Sequence, residues 1–161
     1  MKTLIELYDD RPIENVLATE VFRPERTVYL CPQREAQNKP LPTKMREYFA
    51  HKGVKTELGF IESSLYKTDK ILKQLRSVVD KYVECILDIT GGTEAALFAC
   101  GELCAGLAIP VFTYSRKRNR FYNISNAGFA DDLPCKIRHC VEDCFLMAGG
   151  AMRTGRVDNS V

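Results

Sequence analysis

Asp88-Ile89-Thr90-Gly91-Gly92-Thr93-Glu94 joins an apolar run to a stretch of small and apolar residues. Before it, Cys85-Ile86-Leu87 reads as a buried strand; after it, Ala95-Ala96-Leu97-Phe98-Ala99-Cys100 opens a helix. A strand that turns straight into a helix through two glycines can bring its backbone close to a ligand, because glycine adopts torsions closed to other residues. Thr90 and Thr93 add hydroxyls, and Thr93 stands where a helix cap belongs. The free amides of the first helical turn carry partial positive charge, so the fitting guest is an anion, with phosphate the commonest. A tight turn with a capping threonine and no guest is the other reading, and this stretch alone leaves it open.

Outward from that motif, strands and helices alternate. Thr3 to Tyr8 reads as a first strand, ended by Asp9-Asp10-Arg11-Pro12, and Pro12 suits the first turn of a helix whose apolar stripe is Ile13, Val16, Leu17 and Val21. Arg26 to Cys31 is a second strand, followed by a polar loop bracketed by Pro32 and Pro40. A helix from Pro42 to His51 stops at Gly53, a strand runs from Lys55 to Ile61, and a helix from Lys67 to Tyr82 turns Ile71, Leu72, Leu75, Val78 and Val79 inward. Beyond the motif come a strand from Ile109 to Tyr114, a turn from Ser115 to Arg120, a short strand from Phe121 to Ile124 and a last helix from Leu133 to Met147. Such alternation predicts a Rossmann-like, doubly wound α/β fold. Its mainly parallel sheet has about six strands flanked by helices, with a C-terminal β-hairpin. Residues 1–150 are expected to form one domain and residues 151–161 a polar tail or linker.

At 161 residues, 45% hydrophobic and 27% charged, the chain can bury one sizeable core. A formal charge of +2 is too small for a protein that coats long nucleic acids. Affinity for phosphate must therefore come from local clustering. No apolar run approaches a membrane span, and the first residues lack the core of a signal peptide, so a cytoplasmic protein with no membrane partner is expected. The seven cysteines are then expected to be reduced. Cys100 with Cys104 and Cys140 with Cys144 are spaced to share helical faces as small buried residues, and His51 and His139 read as ordinary helix residues. Neither a metal nor a cofactor is expected.

In doubly wound sheets, ligands bind outside the carboxyl ends of the strands where the strand order reverses. That rule gathers Asp9 to Pro12, Pro32 to Pro40, Thr90 to Thr93 and Ser115 to Arg120 on one edge. Arg11, Arg34, Lys39, Arg116, Lys117, Arg118 and Arg120 would then rim the glycine turn. The chain has no Gly-x-Gly-x-x-Gly after its first strand and no Gly-x-x-x-x-Gly-Lys-Ser/Thr, which argues against a dinucleotide or a nucleoside triphosphate. No Ser/His/Asp or Cys/His relay is visible.

Tyr8-Asp9-Asp10-Arg11-Pro12-Ile13-Glu14-Asn15-Val16-Leu17, together with Asp88-Ile89-Thr90-Gly91-Gly92-Thr93, resembles the CRISPR-associated Rossmann fold (CARF) sensor domain over about residues 2–150. The likeness is greatest to the DUF1887-like branch, in which that domain precedes a restriction-type nuclease. The resemblance implies a homodimer whose shared cleft binds a cyclic oligoadenylate, foremost cyclic tetra-adenylate, as a second messenger in type III CRISPR antiviral defence. The nuclease domain it would control is not expected within these residues. The implied ligand-binding residues are Asp10, Arg11 and Asn15 from the first loop, Gln33 and Arg34 from the second, Thr90, Gly91, Gly92 and Thr93 from the motif, and Arg116 and Lys117 from the last turn. Asn15 and Gln33 are the candidate readers of adenine. Glu94 departs from the family, where a lysine or other polar residue often follows the Gly-Gly-Thr. The rival readings are a ring nuclease that cleaves the messenger, with Thr90 and Arg116 or Lys117 in the catalytic role, and an unrelated Rossmann-like nucleotide-binding protein. Substituting Gly92→Arg is expected to block the cleft and spare the fold.

Overall fold

A computed structural model describes residues 2–32, 40–125, 127 and 132–148. In chain order the elements are β1 (Thr3–Leu7), α1 (Glu14–Phe22), β2 (Arg26–Cys31), α2 (Pro40–His51), β3 (Glu57–Glu62), α3 (Thr68–Lys81), β4 (Cys85–Asp88), α4 (Glu94–Gly106), β5 (Val111–Ser115), β6 (Arg120–Asn123), β7 (Asp132–Pro134) and α5 (Val141–Met147). The strands form one sheet of order β3-β2-β1-β4-β5-β6-β7, parallel from β3 to β5 and antiparallel at β6 and β7. This is the expected Rossmann-like α/β class. The chain runs from β1 outward through β2 and β3, then returns to the other side of β1 with β4, so the order reverses between β1 and β4.

Alternation along the central strands decides which helix covers which residue. Ile5, Leu7, Val28, Leu30, Cys85 and Leu87 face α3 and α4, whose Ile71, Leu72, Leu75, Val78, Ala96, Ala99 and Leu103 complete one apolar core. On the opposite face Leu4, Ile86 and Phe112 meet Leu17 and Ala18 of α1, while Tyr29 meets Val16, Met45, Tyr48 and Phe49 together with Leu146 and Met147 of α5. α1 is buried nearly all round, its Glu14, Asn15, Thr19 and Glu20 included. That exceeds the single apolar stripe its sequence predicts.

The C-terminal part differs from expectation. Residues 133–140 are not helical: Leu133 pairs with Phe121 in the β6–β7 ladder, and the helix starts only at Val141. The start is set locally by a capping box, in which the Cys140 side chain meets the backbone of Asp143 and the Asp143 carboxylate accepts from the Cys140 N–H at 2.9 Å. His139 therefore lies outside any helix, with its Nε2 3.3 Å from Glu20 Oε1. Cys140 and Cys144 are exposed, contrary to the buried role expected of them, whereas Cys31, Cys85, Cys100 and Cys135 are buried. Gly149, Gly150 and the tail 151–161 lie outside the described residues.

Candidate functional site

The carboxyl ends of β1 and β4, where the strand order reverses, open into a cleft of about 280 Å³ lined by Tyr8, Asp9, Asp10, Arg11, Pro32, Leu65, Tyr66, Gly92 and Thr93. Two of the four loops gathered from the sequence thus meet, and Pro32 brings the start of a third to the same wall. Gln33, Arg34 and Lys39 lie outside the described residues.

The glycine turn is shaped first by its own protein. A Cβ at Gly91 would run into the Leu7 carbonyl oxygen and stand 2.9 Å from Asp9 Cβ, and one at Gly92 would stand 2.7 Å from Leu7 Cδ1. Gly92 also has φ +97°, a conformation L side chains rarely adopt. Both glycines are needed for the turn to lie against the end of β1, so Gly92→Arg would strain the fold as well as fill the cleft. The hydroxyls have partners too. Thr90 Oγ1 donates to Asp88 Oδ1 at 2.6 Å and accepts from the Tyr114 N–H at 2.8 Å. Thr93 Oγ1 caps α4 by accepting from the Ala96 N–H at 3.3 Å, and it donates to the Leu65 carbonyl. Gly92 and Glu94 are exposed at this turn and Gly91 is buried; the first N–H groups of a helix have no partner inside it and carry the positive end of its dipole.

Asn15 has a structural task. Its Oδ1 accepts from the Asp9 N–H and its Nδ2 donates to the Asp9 carbonyl, both at 2.7 Å, so its amide clasps the backbone of the first loop. At 2% exposure the residue is withdrawn from the surface. Asp9 Oδ1 accepts from the Arg11 N–H at 2.7 Å and closes the turn. Asp10 and Arg11 remain exposed on the rim.

Glu14, not singled out in the sequence, joins two loops. Its side chain is 5% exposed; Oε2 meets Arg11 Nη1 at 3.3 Å and Oε1 accepts from Arg116 Nε. The hairpin tip between β5 and β6 is thereby tied to the loop after β1, and two guanidinium groups with exposed side chains stand together on one buried carboxylate. Lys117 is exposed at the same tip.

Beneath the turn lie two buried acids in register on adjacent strands, Glu6 and Asp88. Burial raises the Asp88 carboxyl to about 7, opposed by the Thr90 hydrogen bonds and helped by the nearby Glu14 charge. Burial likewise pushes Glu6 well above the usual carboxylate range, with Asp88 adding to the shift. Thr19 Oγ1 donates to Glu6 Oε1 at 2.9 Å and lies 2.9 Å from Thr27 Oγ1, while the Tyr29 hydroxyl donates to the Asn15 carbonyl at 2.7 Å. Among the described residues no cluster of His, Cys, Asp and Glu is placed to hold a metal ion, and no helix is long and apolar enough to cross a membrane.

Sequence reasoning missed Glu14, Tyr8, Leu65 and Tyr66 at this edge. The rule that gathered the other loops applies equally to the one after β3, so Leu65 and Tyr66 were within its reach; Glu14 carried no local signal.

No protein-family model and no curated protein sequence matches the chain. Among solved structures it is similar to Can2 from Sulfobacillus thermosulfidooxidans in complex with cyclic tetra-adenylate, with TM-score 0.77 and 18% identity over 91% of this chain and 41% of that one. It is also similar to protein VC1899 from Vibrio cholerae, with TM-score 0.73 and 12% identity over 91% of this chain and 39% of that one. A third similar structure is a type III CRISPR defence DNA nuclease activated by cyclic oligoadenylate, with TM-score 0.62 and 16% identity over 90% of this chain and 23% of that one. The chain spans about two fifths of the first two proteins and less of the third.

Proposed function

We propose that this chain is a sensor domain for a cyclic oligoadenylate, foremost cyclic tetra-adenylate, bound across a homodimer in type III CRISPR defence and controlling an effector domain of nuclease type. The observation that carries this is positional. The glycine turn at the head of α4 lies at the strand-order reversal of a fold similar, over nine tenths of its length, to a cyclic tetra-adenylate complex.

The chemistry supports the same reading. A ring of four linked adenylates carries four phosphates and rotational symmetry, so a two-fold pair can present one turn and one arginine cluster to each half. In this assignment the amides of Gly91, Gly92 and Thr93 face phosphate or ribose oxygens, Arg11, Arg116 and Lys117 supply positive charge, and Asp10 stands beside them. Gln33 and Arg34 complete the set from the second loop. Thr90, Thr93 and Asn15 serve by holding the loops in place.

A second copy has a surface to occupy. α4 leads directly away from the turn and exposes Leu97 and Phe98, at 40% and 69%, with Ile124 close to its outer side at 56%. A groove of about 260 Å³ lined by Ile89, Leu97, Cys100, Gly101, Cys104, Val111, Ile124 and Ser125 runs along it. Pairing through this face buries apolar area and sets two glycine turns side by side.

Calorimetry and sedimentation of the purified chain with cyclic tetra-adenylate test the proposal. Expected are a dimer, one ring bound per two chains, and loss of both dimer and binding in Phe98→Glu. Chromatography of the incubated ligand tests the ring-cleaving alternative through linear products. Absence of binding by a folded wild-type chain overturns the sensor reading.

A further inference from the structure

Tyr66 is 76% exposed, yet it stands in the wall of the cleft that contains Arg11, Gly92 and Thr93. The segment presenting it is firmly held. Its neighbour Leu65 is buried at 4% in the core under α3 and α4, in a left-handed backbone conformation of φ 53°. A branched side chain takes that conformation only where surrounding contacts impose it. The contacts are present: the Ser63 N–H donates to the Cys31 carbonyl at 2.8 Å, Gln74 Nε2 donates to the Glu62 carbonyl at 2.5 Å, and the Thr93 hydroxyl donates to the Leu65 carbonyl. The last bond ties this loop to the glycine turn itself.

An aromatic ring kept in solvent on a buried anchor loses little freedom when something flat lies against it. Beside an anion-binding turn, the flat group that accompanies a phosphate is a nucleobase. We infer that Tyr66 is a base-stacking residue of the cleft, its ring receiving the face of a purine whose phosphate rests on the turn at Gly92 and Thr93. The inference rests on the nucleotide-sensing reading and deepens it by giving the base a side-chain partner. Stacking on an aromatic face tolerates any base, so Tyr66 separates nucleotides from bare phosphate and leaves the choice among bases to other groups.

The chain contains no tryptophan, so Tyr66→Trp introduces a single indole whose emission reports on anything stacked against it. Calorimetry with cyclic tetra-adenylate is expected to show Tyr66→Phe within about twofold of wild type and Tyr66→Ala weaker by about tenfold or more, with the melting temperature unchanged. The indole of Tyr66→Trp is expected to be quenched over the same concentrations. Full affinity in Tyr66→Ala, or constant indole emission during a titration in which calorimetry records binding, overturns the inference and leaves the sensor reading standing. No binding by wild type overturns the sensor reading. Adenosine monophosphate then decides the stacking role, because quenching of the indole supports it and unchanged emission refutes it.

Discussion

Beneath α3 and α4 the central strands present Ile5, Leu7, Val28, Leu30 and Leu87, and the helices answer with Ile71, Leu75, Ala99 and Leu103. Beneath α1 the same strands present Glu6, Thr27, Tyr29 and Asp88, and α1 answers with Asn15 and Thr19. Among the described residues every buried acid belongs to this second side or to the helices covering it: Glu6, Glu14, Glu20, Asp88 and Asp143. A buried carboxyl lowers stability unless its hydrogen bonds do something an apolar side chain cannot. Two of the five tie loops at this edge, Asp88 through Thr90 to the β5 backbone and Glu14 to Arg11 and Arg116, while Glu20 and Asp143 bond Tyr48 and Lys52. Both faces supply apolar cohesion, and the second also carries the buried acids that tie the loops.

The comparison is broken most severely by Leu75→Ala, which empties the dry face. A loss of about 2–5 kcal/mol is expected in urea denaturation, with ligand affinity of the remaining folded protein unchanged. Altered affinity at full stability would show that the two faces do not divide their tasks.

On the polar face the sharper test is pH. The Asp88 carboxyl, raised to about 7, holds its proton more tightly in the folded chain than in the unfolded one. The stability this gives is fully present below the unfolded value near 3.8 and is lost as pH rises through about 7. Wild type is therefore expected to lose roughly 4 kcal/mol from this group between acid and neutral pH. Asp88→Asn should flatten that fall, leaving the part due to Glu6, in denaturation curves at several pH values. An equally steep fall in Asp88→Asn would remove Asp88 from the account.

Glu14→Gln and Arg116→Ala are each expected to weaken cyclic tetra-adenylate binding by about tenfold, and the double variant by little more than either. Additive losses would mean that Glu14 does not position Arg116. The smallest effect is expected of Thr93→Ala, which removes the cap of α4 at about 1 kcal/mol and is measured by thermal melting.

Much of the fold was legible because its signals are local. Ile71, Leu72, Leu75 and Val78 recur at the spacing of one helical face, and that helix occupies 68–81 against the expected 67–82. Thr93 caps a helix as its position suggested. Leu133 to Cys140 misled, since the run has helical composition while its structure is decided by pairing with β6 and by the Cys140 and Asp143 box. The loops that meet at the cleft were legible in part, and the tasks of their side chains were not. Asn15 looked like a base reader and clasps a loop; Gly91 looked like room for a ligand and makes room for Leu7 and Asp9.

The sequence by itself determined the alternation of strands and helices and the glycine turn at a helix start, because periodicity, caps and turn residues act within a few neighbours. Only the tertiary structure decided which polar groups hold the protein together and which face outward. Glu14 meets Arg116 across 102 residues and Thr93 meets Leu65 across 28, and partners that far apart become neighbours only when the sheet is assembled.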